Sequence, residues 1–287
     1  MEPQSAILQP QRSFARYLTA FGRLGANKQA VRDVLSGLKV SRAMTLGLGP
    51  SMTRSLGCVR PELRAFPALT GVGVEVPSTQ SDLWIWINGD EPGVVVNLAR
   101  ELSEQLEPWF EFDAVVDGFK NQPSQNGLGR DLTGYEDGTE NPVGDAMVSA
   151  ALAADGSSFV AVQAWKHDLK QFAKFSRKKQ DDLIGRRKVD NEELSDAPEF
   201  AHVKRTAQES FSPEAFIVRR SLPWAGPSGE GLMFVAFGAS FDPFEAQLRR
   251  MVGLDDGIVD GCFQFSRPMT GGYYWCPPVS DEGLILC

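Results

Sequence analysis

Leu83-Trp84-Ile85-Trp86-Ile87 decides how the chain folds. Every position is apolar, so as a strand it buries both faces and must be central in a sheet or covered by helices. Downstream, Pro92 stands at a helix start, and Val94 to Leu106 continue it with Glu101 and Glu104 facing outward. Trp109 to Phe119 then alternates as a strand. Upstream, Ser13 to Gly22 carries the aromatics of a strand. Residues 27 to 38 place Ala30, Val31, Val34, Leu35 and Leu38 at helical spacing behind an Asn27 cap. Ala43 to Gly49 is a short apolar strand, and Ser51 to Leu56 a short helix. Strand, helix, strand, strand, helix, strand is the split β-α-β order of a ferredoxin-like module.

Asn121 to Gly134 is rich in Gly, Asn, Gln and Pro and reads as a linker. It divides the chain into residues 1–125 and residues 126–287. The second part repeats the plan. Ser158 to Trp165 is a strand, Asp168 to Phe175 and Arg177 to Ile184 are helices, and Val189 to Phe200 is acidic and irregular. Ala215 to Arg219 and Gly231 to Gly238 are strands, and Phe244 to Val252 is a helix. Phe263 to Phe265 fits either a strand or a helix. The expected fold is α+β: two ferredoxin-like modules, each an antiparallel sheet with flanking helices.

At 287 residues with 42% hydrophobic and 23% charged content, the chain can bury a core without metal or disulfide staples. A net charge of -8 argues against a nucleic-acid binder, which needs a basic face. The N-terminus has no basic segment leading into an apolar run, and no stretch reaches membrane-span length, so the expected location is the cytoplasm. Cys58, Cys262, Cys276 and Cys287 show no zinc-like spacing and are expected as reduced thiols. With only His167 and His202, a multi-histidine metal site is nearly excluded.

Chemistry concentrates in Gly134-Tyr-Glu-Asp137-Gly138-Thr139-Glu140-Asn141-Pro142. Glycines bracket an acidic pair and Asn-Pro closes the turn, which can hold one carboxylate at a fixed place over a cavity. An ordinary surface turn has the same composition. His202, in Glu199-Phe-Ala-His-Val-Lys-Arg205, and His167 each read first as hydrogen-bonded histidines. Arg219-Arg220 follow Ile217-Val218, so strand alternation turns one guanidinium inward. There it needs a partner such as Asp137 or an anionic ligand.

Together these segments resemble the dye-decolourising peroxidases, and among them the bacterial B-type group. Five places carry the resemblance: Gly134-x-x-Asp137-Gly138 with Thr139 to Pro142, Ile184-Gly185-Arg186, Ala201-His202, Ile217 to Pro223, and Phe265 to Tyr274. The resemblance implies haem b (iron protoporphyrin IX) held mainly by the C-terminal module, with His202 as the proximal iron ligand. It places Asp137, Arg219 and Ser221 on the distal side. The resemblance also implies Arg186 as a haem-propionate contact, although by itself it reads equally as a solvated helix-end arginine beside Arg187, and it implies that Gly138 and Thr139 line the cofactor with Arg219. The implied reaction reduces hydrogen peroxide to water through a ferryl state and oxidises aromatic, dye-like or porphyrin-like donors. A carboxylate moves the peroxide proton, and a guanidinium stabilises the departing oxygen. The partner of the His202 imidazole is left between Gln264, Asp260 and Asp256. A homo-oligomer is also implied. Trp165, Trp224, Tyr273, Tyr274 and Trp275 are either electron relays or core aromatics. Two rival readings are a haem-handling protein with incidental peroxidase activity, and a haem-free protein that binds an acidic ligand at Arg219.

Overall fold

The structure is a computed structural model that describes residues 1–122 and 128–287. In chain order the strands are β1 Phe14–Gly22, β2 Met44–Leu48, β3 Leu69–Thr70, β4 Glu75–Val76, β5 Leu83–Gly89, β6 Phe110–Phe119 and β7 Ser158–His167. There follow β8 Val218–Arg219, β9 Leu222–Gly226, β10 Gly229–Gly238, β11 Ser266–Pro268, β12 Gly272–Cys276, β13 Val279–Ser280 and β14 Gly283–Leu284. The helices are α1 Lys28–Ser36, α2 Pro50–Ser55, α3 Pro92–Leu106, α4 Gly144–Ala151, α5 Leu169–Lys174, α6 Arg177–Ile184, α7 His202–Arg205 and α8 Asp242–Met251.

The N-terminal strands lie in the order β2-β5-β1-β6, and the C-terminal strands in the order β12-β7-β10-β9. Both are the ferredoxin-like arrangement, and every pairing is antiparallel. The sheets do not stop at their edges. Trp275 of β12 pairs with Leu48 of β2, and Gly118 of β6 pairs with Trp224 of β9. Eight strands therefore close into one ring, which removes the edges that open sheets must protect.

The closed ring explains the central strand. Trp84 and Trp86 of β5 point into the ring, where they meet Tyr17, Phe237 and Tyr274. Leu83, Ile85 and Ile87 point outward under the helices with Val95, Ala99 and Leu102 of α3. All five residues are buried, as an all-apolar strand requires. Asn27 caps α1 by accepting from the backbone N–H groups of Gln29 and Ala30 at 2.9 and 3.1 Å. Pro92 opens α3.

Some elements differ from the sequence reading. The strand expected over Ala215 to Arg219 shrinks to Val218–Arg219, because β9 resumes the edge of β10 at Leu222. Pro223 hides β9, although at a strand position whose N–H faces away it is tolerated. Phe263 lies in a 3-10 turn, Gly261–Gln264. Cys58 and Cys287 form a disulfide where reduced thiols were expected, pinning the C-terminus over the N-terminal half. Cys262 and Cys276 are free. The expected division between residues 125 and 126 falls within 123–127, outside the described residues.

Candidate haem site

Helix α7 is a single turn, and its position is set from two sides. Gly185 ends α6 with φ of 92°, and a Cβ there would overlap Val203, so only glycine lets α7 pack against that corner. Arg205 at the other end is buried, and it donates to both Asp256 oxygens at 2.7 and 2.8 Å and to the Arg250 carbonyl at 2.6 Å. The turn cannot slide without breaking this fork.

His202 opens α7. Its Nδ1 lies 2.8 Å from Asp260 Oδ2, and the Asp260 carboxyl is fully buried. The other Asp260 oxygen accepts from the Cys262 backbone N–H at 2.8 Å. A carboxylate at Nδ1 fixes the tautomer with the lone pair on Nε2, and Nε2 has no hydrogen-bond partner among the described residues. Burial pushes the His202 pKa down, but the charge of Asp260 and its hydrogen bond outweigh that and leave it raised. The partner is thus Asp260. Gln264 lies on another cavity, and Asp256 is taken by Arg205.

The imidazole faces a cavity of about 140 Å³. Leu232 and Phe234 of β10 form one wall, and Phe244, Leu248 and Met251 of α8 form another. Asp137 and Arg219 line the same cavity, with Arg219 Nη1 3.9 Å from Asp137 Oδ1. That is an ion pair too long for a hydrogen bond, so each group keeps capacity for a small guest. Asn141 sets the spacing. Its side-chain oxygen accepts from the Arg219 N–H at 2.7 Å, and its amide donates to the Arg219 carbonyl at 3.1 Å. The motif loop is thereby fastened to β8.

A neighbouring cavity brings Gly138, Thr139 and Arg186 to His202, Asp137 and Arg219. Gly138 has φ of 84°, which suits glycine. Arg186 donates to Glu140 at 2.6 Å, to Glu193 at 2.8 Å and to the Asn191 carbonyl at 3.0 Å. It holds carboxylates in this structure, as a propionate contact must. Ser221 shares a third cavity with Asp137, Gly138, Thr139 and Arg219 and not with His202. Its hydroxyl accepts from the Val235 N–H at 3.2 Å.

His167 is a hydrogen-bonded histidine as read from the sequence, but its partner Asp131 was missed there. Asp131 and His167 line the His202 cavity, with Asp131 Oδ1 3.1 Å from His167 Nε2 and His167 Nδ1 2.7 Å from Ser266 Oγ. Burial acts to raise the Asp131 pKa, but His167 and the Thr133 hydrogen bonds prevail and hold it below the usual carboxylate range. The signal lay beside the motif, in Arg130-Asp131-Leu132-Thr133, but nothing local pairs it with a histidine 36 residues on. Trp165, Trp224, Tyr273, Tyr274 and Trp275 are all buried, as core aromatics are.

A carboxylate-braced imidazole with a free Nε2, an apolar slot and a guanidinium–carboxylate pair on the same slot suit an iron porphyrin. The residues fit that group: one neutral nitrogen for the metal, apolar walls for the ring, and Arg186 for an acidic edge. The comparisons agree. The family model described as Dyp-type peroxidase, N-terminal, matches residues 9–120, and the one described as Dyp-type peroxidase, C-terminal, matches residues 129–281. A dye-decolorizing peroxidase of Rhodococcus erythropolis is 32% identical over 276 residues, covering 87% of this chain and 80% of that protein. One from Mycolicibacterium paratuberculosis is 32% identical over 230 residues, covering 76% of this chain and 64% of that protein. This chain thus spans less than two thirds of the mycobacterial relative. The solved structure of DyPB from Rhodococcus jostii RHA1 superposes with a TM-score of 0.87 at 27% identity, covering 99% of each chain. A variant of that protein was solved in complex with heme, and it superposes with a TM-score of 0.86 at 26% identity, covering 95% of this chain and 96% of that one. The chain belongs to the dye-decolourising peroxidases, haem-dependent oxidoreductases that consume hydrogen peroxide. Among the described residues no helix is long and apolar enough to cross a membrane.

Proposed function

We propose that this chain is a haem peroxidase in which His202 ligates the iron and Asp137 and Arg219 process the peroxide. The observation that carries the reading is the His202–Asp260 contact of 2.8 Å, with Nε2 left to a cavity that Asp137 and Arg219 share. Haem, when bound, supplies the redox-active iron. The protein does the rest. Asp260 accepts from Nδ1–H and makes Nε2 a stronger donor. Asp137 takes a proton from one peroxide oxygen and returns it to the other. Arg219 is always charged and stabilises negative charge on the departing oxygen. Arg186, with Gly138 and Thr139, holds the acidic edge of the porphyrin. The apolar walls keep bulk water from the reacting atoms. Ser221, on a cavity that Asp137 and Arg219 also line, accepts from the Val235 N–H and keeps its hydroxyl proton to donate to that pair or its guest.

The same reading takes residues 1–125 and 126–287 as two modules, with the haem held by the second. It expects an aromatic or dye-like reductant, a homo-oligomer and a cytoplasmic location. Against the last stands the Cys58–Cys287 disulfide, a bond uncommon in the cytosol. Cell fractionation with thiol titration decides between them. The test of the function is an absorption spectrum of haemin-reconstituted protein before and after one equivalent of hydrogen peroxide. A Soret band that shifts rapidly on peroxide, and returns when an aromatic donor is added, is expected. A band that peroxide merely bleaches slowly would remove the peroxidase reading.

A further inference from the structure

Arg220 follows the proposed peroxide-handling arginine and is 7% exposed, yet no carboxylate of the described residues lies within ion-pair distance. Its Nη1 donates to the Arg219 carbonyl at 3.1 Å, its Nη2 meets only the Met147 sulfur at 3.4 Å, and its Nε has no partner. The undescribed residues 123–127 read Pro-Ser-Gln-Asn-Gly and contain no acid that could supply one. Burial lowers its pKa to about 10, so it still carries its charge at neutral pH. A buried charge in this condition is costly, and two less buried arginines of the chain show the edge-on pairing that it lacks. The Nε–Nη2 edge of Arg16 grips Asp117 at 2.6 and 2.6 Å, and that of Arg187 grips Asp190 at 3.1 and 2.5 Å. The same edge of Arg220 meets no oxygen.

Arg220 lines a cavity of about 380 Å³ together with Lys120, Arg130 and Gln11. Both polar atoms of the Gln11 amide are buried without a partner. Arg220 and Gln11, which between them hold three orphaned polar atoms, thus line one cavity, and the basic side chains outnumber its one acidic residue among the described lining, Asp137, which faces Arg219. We propose that this cavity is a binding site for the carboxylate of a small organic acid, gripped by Arg220 with Gln11 as an adjustable donor and acceptor. A planar group with two oxygens matches the guanidinium edge, as Asp117 and Asp190 do elsewhere in the molecule. The cavity shares Asp137, Gly138, Thr139 and Arg219 with the cavity at Arg186 and His202. An acid held there sits against the peroxide-handling pair. If the acid is also aromatic, it becomes a reductant placed beside the reaction, a consequence that rests on the peroxidase reading.

Calorimetric titration with benzoate tests the site directly, with methyl benzoate as the uncharged control, on both haem-loaded and haem-free protein. Benzoate is expected to bind one to one in both forms and methyl benzoate not at all. Arg220→Gln should weaken benzoate at least tenfold, Arg220→Lys should restore only part of the loss, and Gln11→Leu should weaken it severalfold. Because Arg220→Gln removes an unpaired buried charge, its thermal midpoint should not fall. Should it nevertheless misfold, Gln11→Leu carries the test. Three results overturn the proposal: no benzoate binding, equal binding of methyl benzoate, or benzoate binding untouched by folded variants at both positions. Exclusion of benzoate by haem loading overturns it too, since the ligand would then occupy the His202 cavity. A protein that binds benzoate through Arg220 but takes up no haemin keeps this site and loses the peroxidase reading. The reverse result removes this site alone.

Discussion

On the helix side of the N-terminal strands, Leu18, Leu46 and Ile85 meet Val31, Leu35, Val95 and Leu102 in one continuous apolar layer. On the helix side of the C-terminal strands, Gln163, Trp165 and Leu232 face α8 across a cavity. The strand order is the same, so the sheet is not the cause. The difference lies in the chain between the helices and the next strand. In the C-terminal half, more than thirty residues separate the end of α6 at Ile184 from β8 at Val218, and they carry α7 and His202. Those residues wall the cavity from the side, while α8 rests on the sheet through Phe244 against Phe234 and Tyr273. The chemistry of burial follows the same division. The buried charged residues among those described are Arg205, Arg220 and Asp260, all in the C-terminal half. One half of the protein is a filled core, and the other opens part of its core into a cavity.

Two substitutions should separate the halves sharply. His202→Ala removes the proposed iron ligand and should abolish the Soret band after haemin reconstitution; the haem-free variant should also lose some stability, since the buried Asp260 carboxylate loses its imidazole partner. Unchanged haem spectra would remove the axial assignment. Leu46→Ala does the opposite. Leu46 is fully buried, so the variant should lose about 2–5 kcal/mol of stability, read by urea unfolding. Haem bound per folded molecule should stay the same. If Leu46→Ala also altered the haem spectrum at constant folded fraction, the filled half would be part of the site.

Within the ligand half, Arg219→Leu should keep the Soret band and slow the peroxide-driven spectral change about a hundredfold, roughly 2.7 kcal/mol of barrier. Stopped-flow absorbance measures it. Asn141→Ala should give a smaller slowing, since it loosens the two backbone bonds that place Arg219 but leaves the guanidinium. Equal effects in the two variants would mean that placement, and not charge, is what Arg219 supplies.

Much of this was legible in the sequence, and what was not has physical reasons. The all-apolar Leu83 to Ile87 run required cover on both faces, and the strand and helix order followed. The closed ring could not be read, because each inter-module joint rests on a single residue pair, Trp275 with Leu48 and Gly118 with Trp224. At the site, Asp137, Arg219 and His202 were found by motif and do share a cavity. Asp260 was one candidate among three, because hydrogen-bond pairing over 58 residues depends on how the turn at Gly261 packs against Leu183. Ser221 fails to join the His202 cavity for a reason of register. It faces β10, where Val235 needs an acceptor.

The smallest effect concerns acid. Asp131 is held below the usual carboxylate range, burial being outweighed by His167 and the Thr133 hydrogen bonds. A depressed folded-state pKa stabilises the protein fully above the unfolded value of about 3.9 and loses that contribution as pH falls through the folded value. Asp131→Asn should therefore cost on the order of 1.5 kcal/mol at pH 7, the low end for a hydrogen bond to a charged group. The gap between variant and wild type should narrow once the pH drops below about 4, and close when the native carboxylate protonates. Urea unfolding of haem-free protein from pH 7 down to acid reads it without interference from the cofactor. A gap that stays constant with pH would mean that Asp131 acts as a neutral spacer.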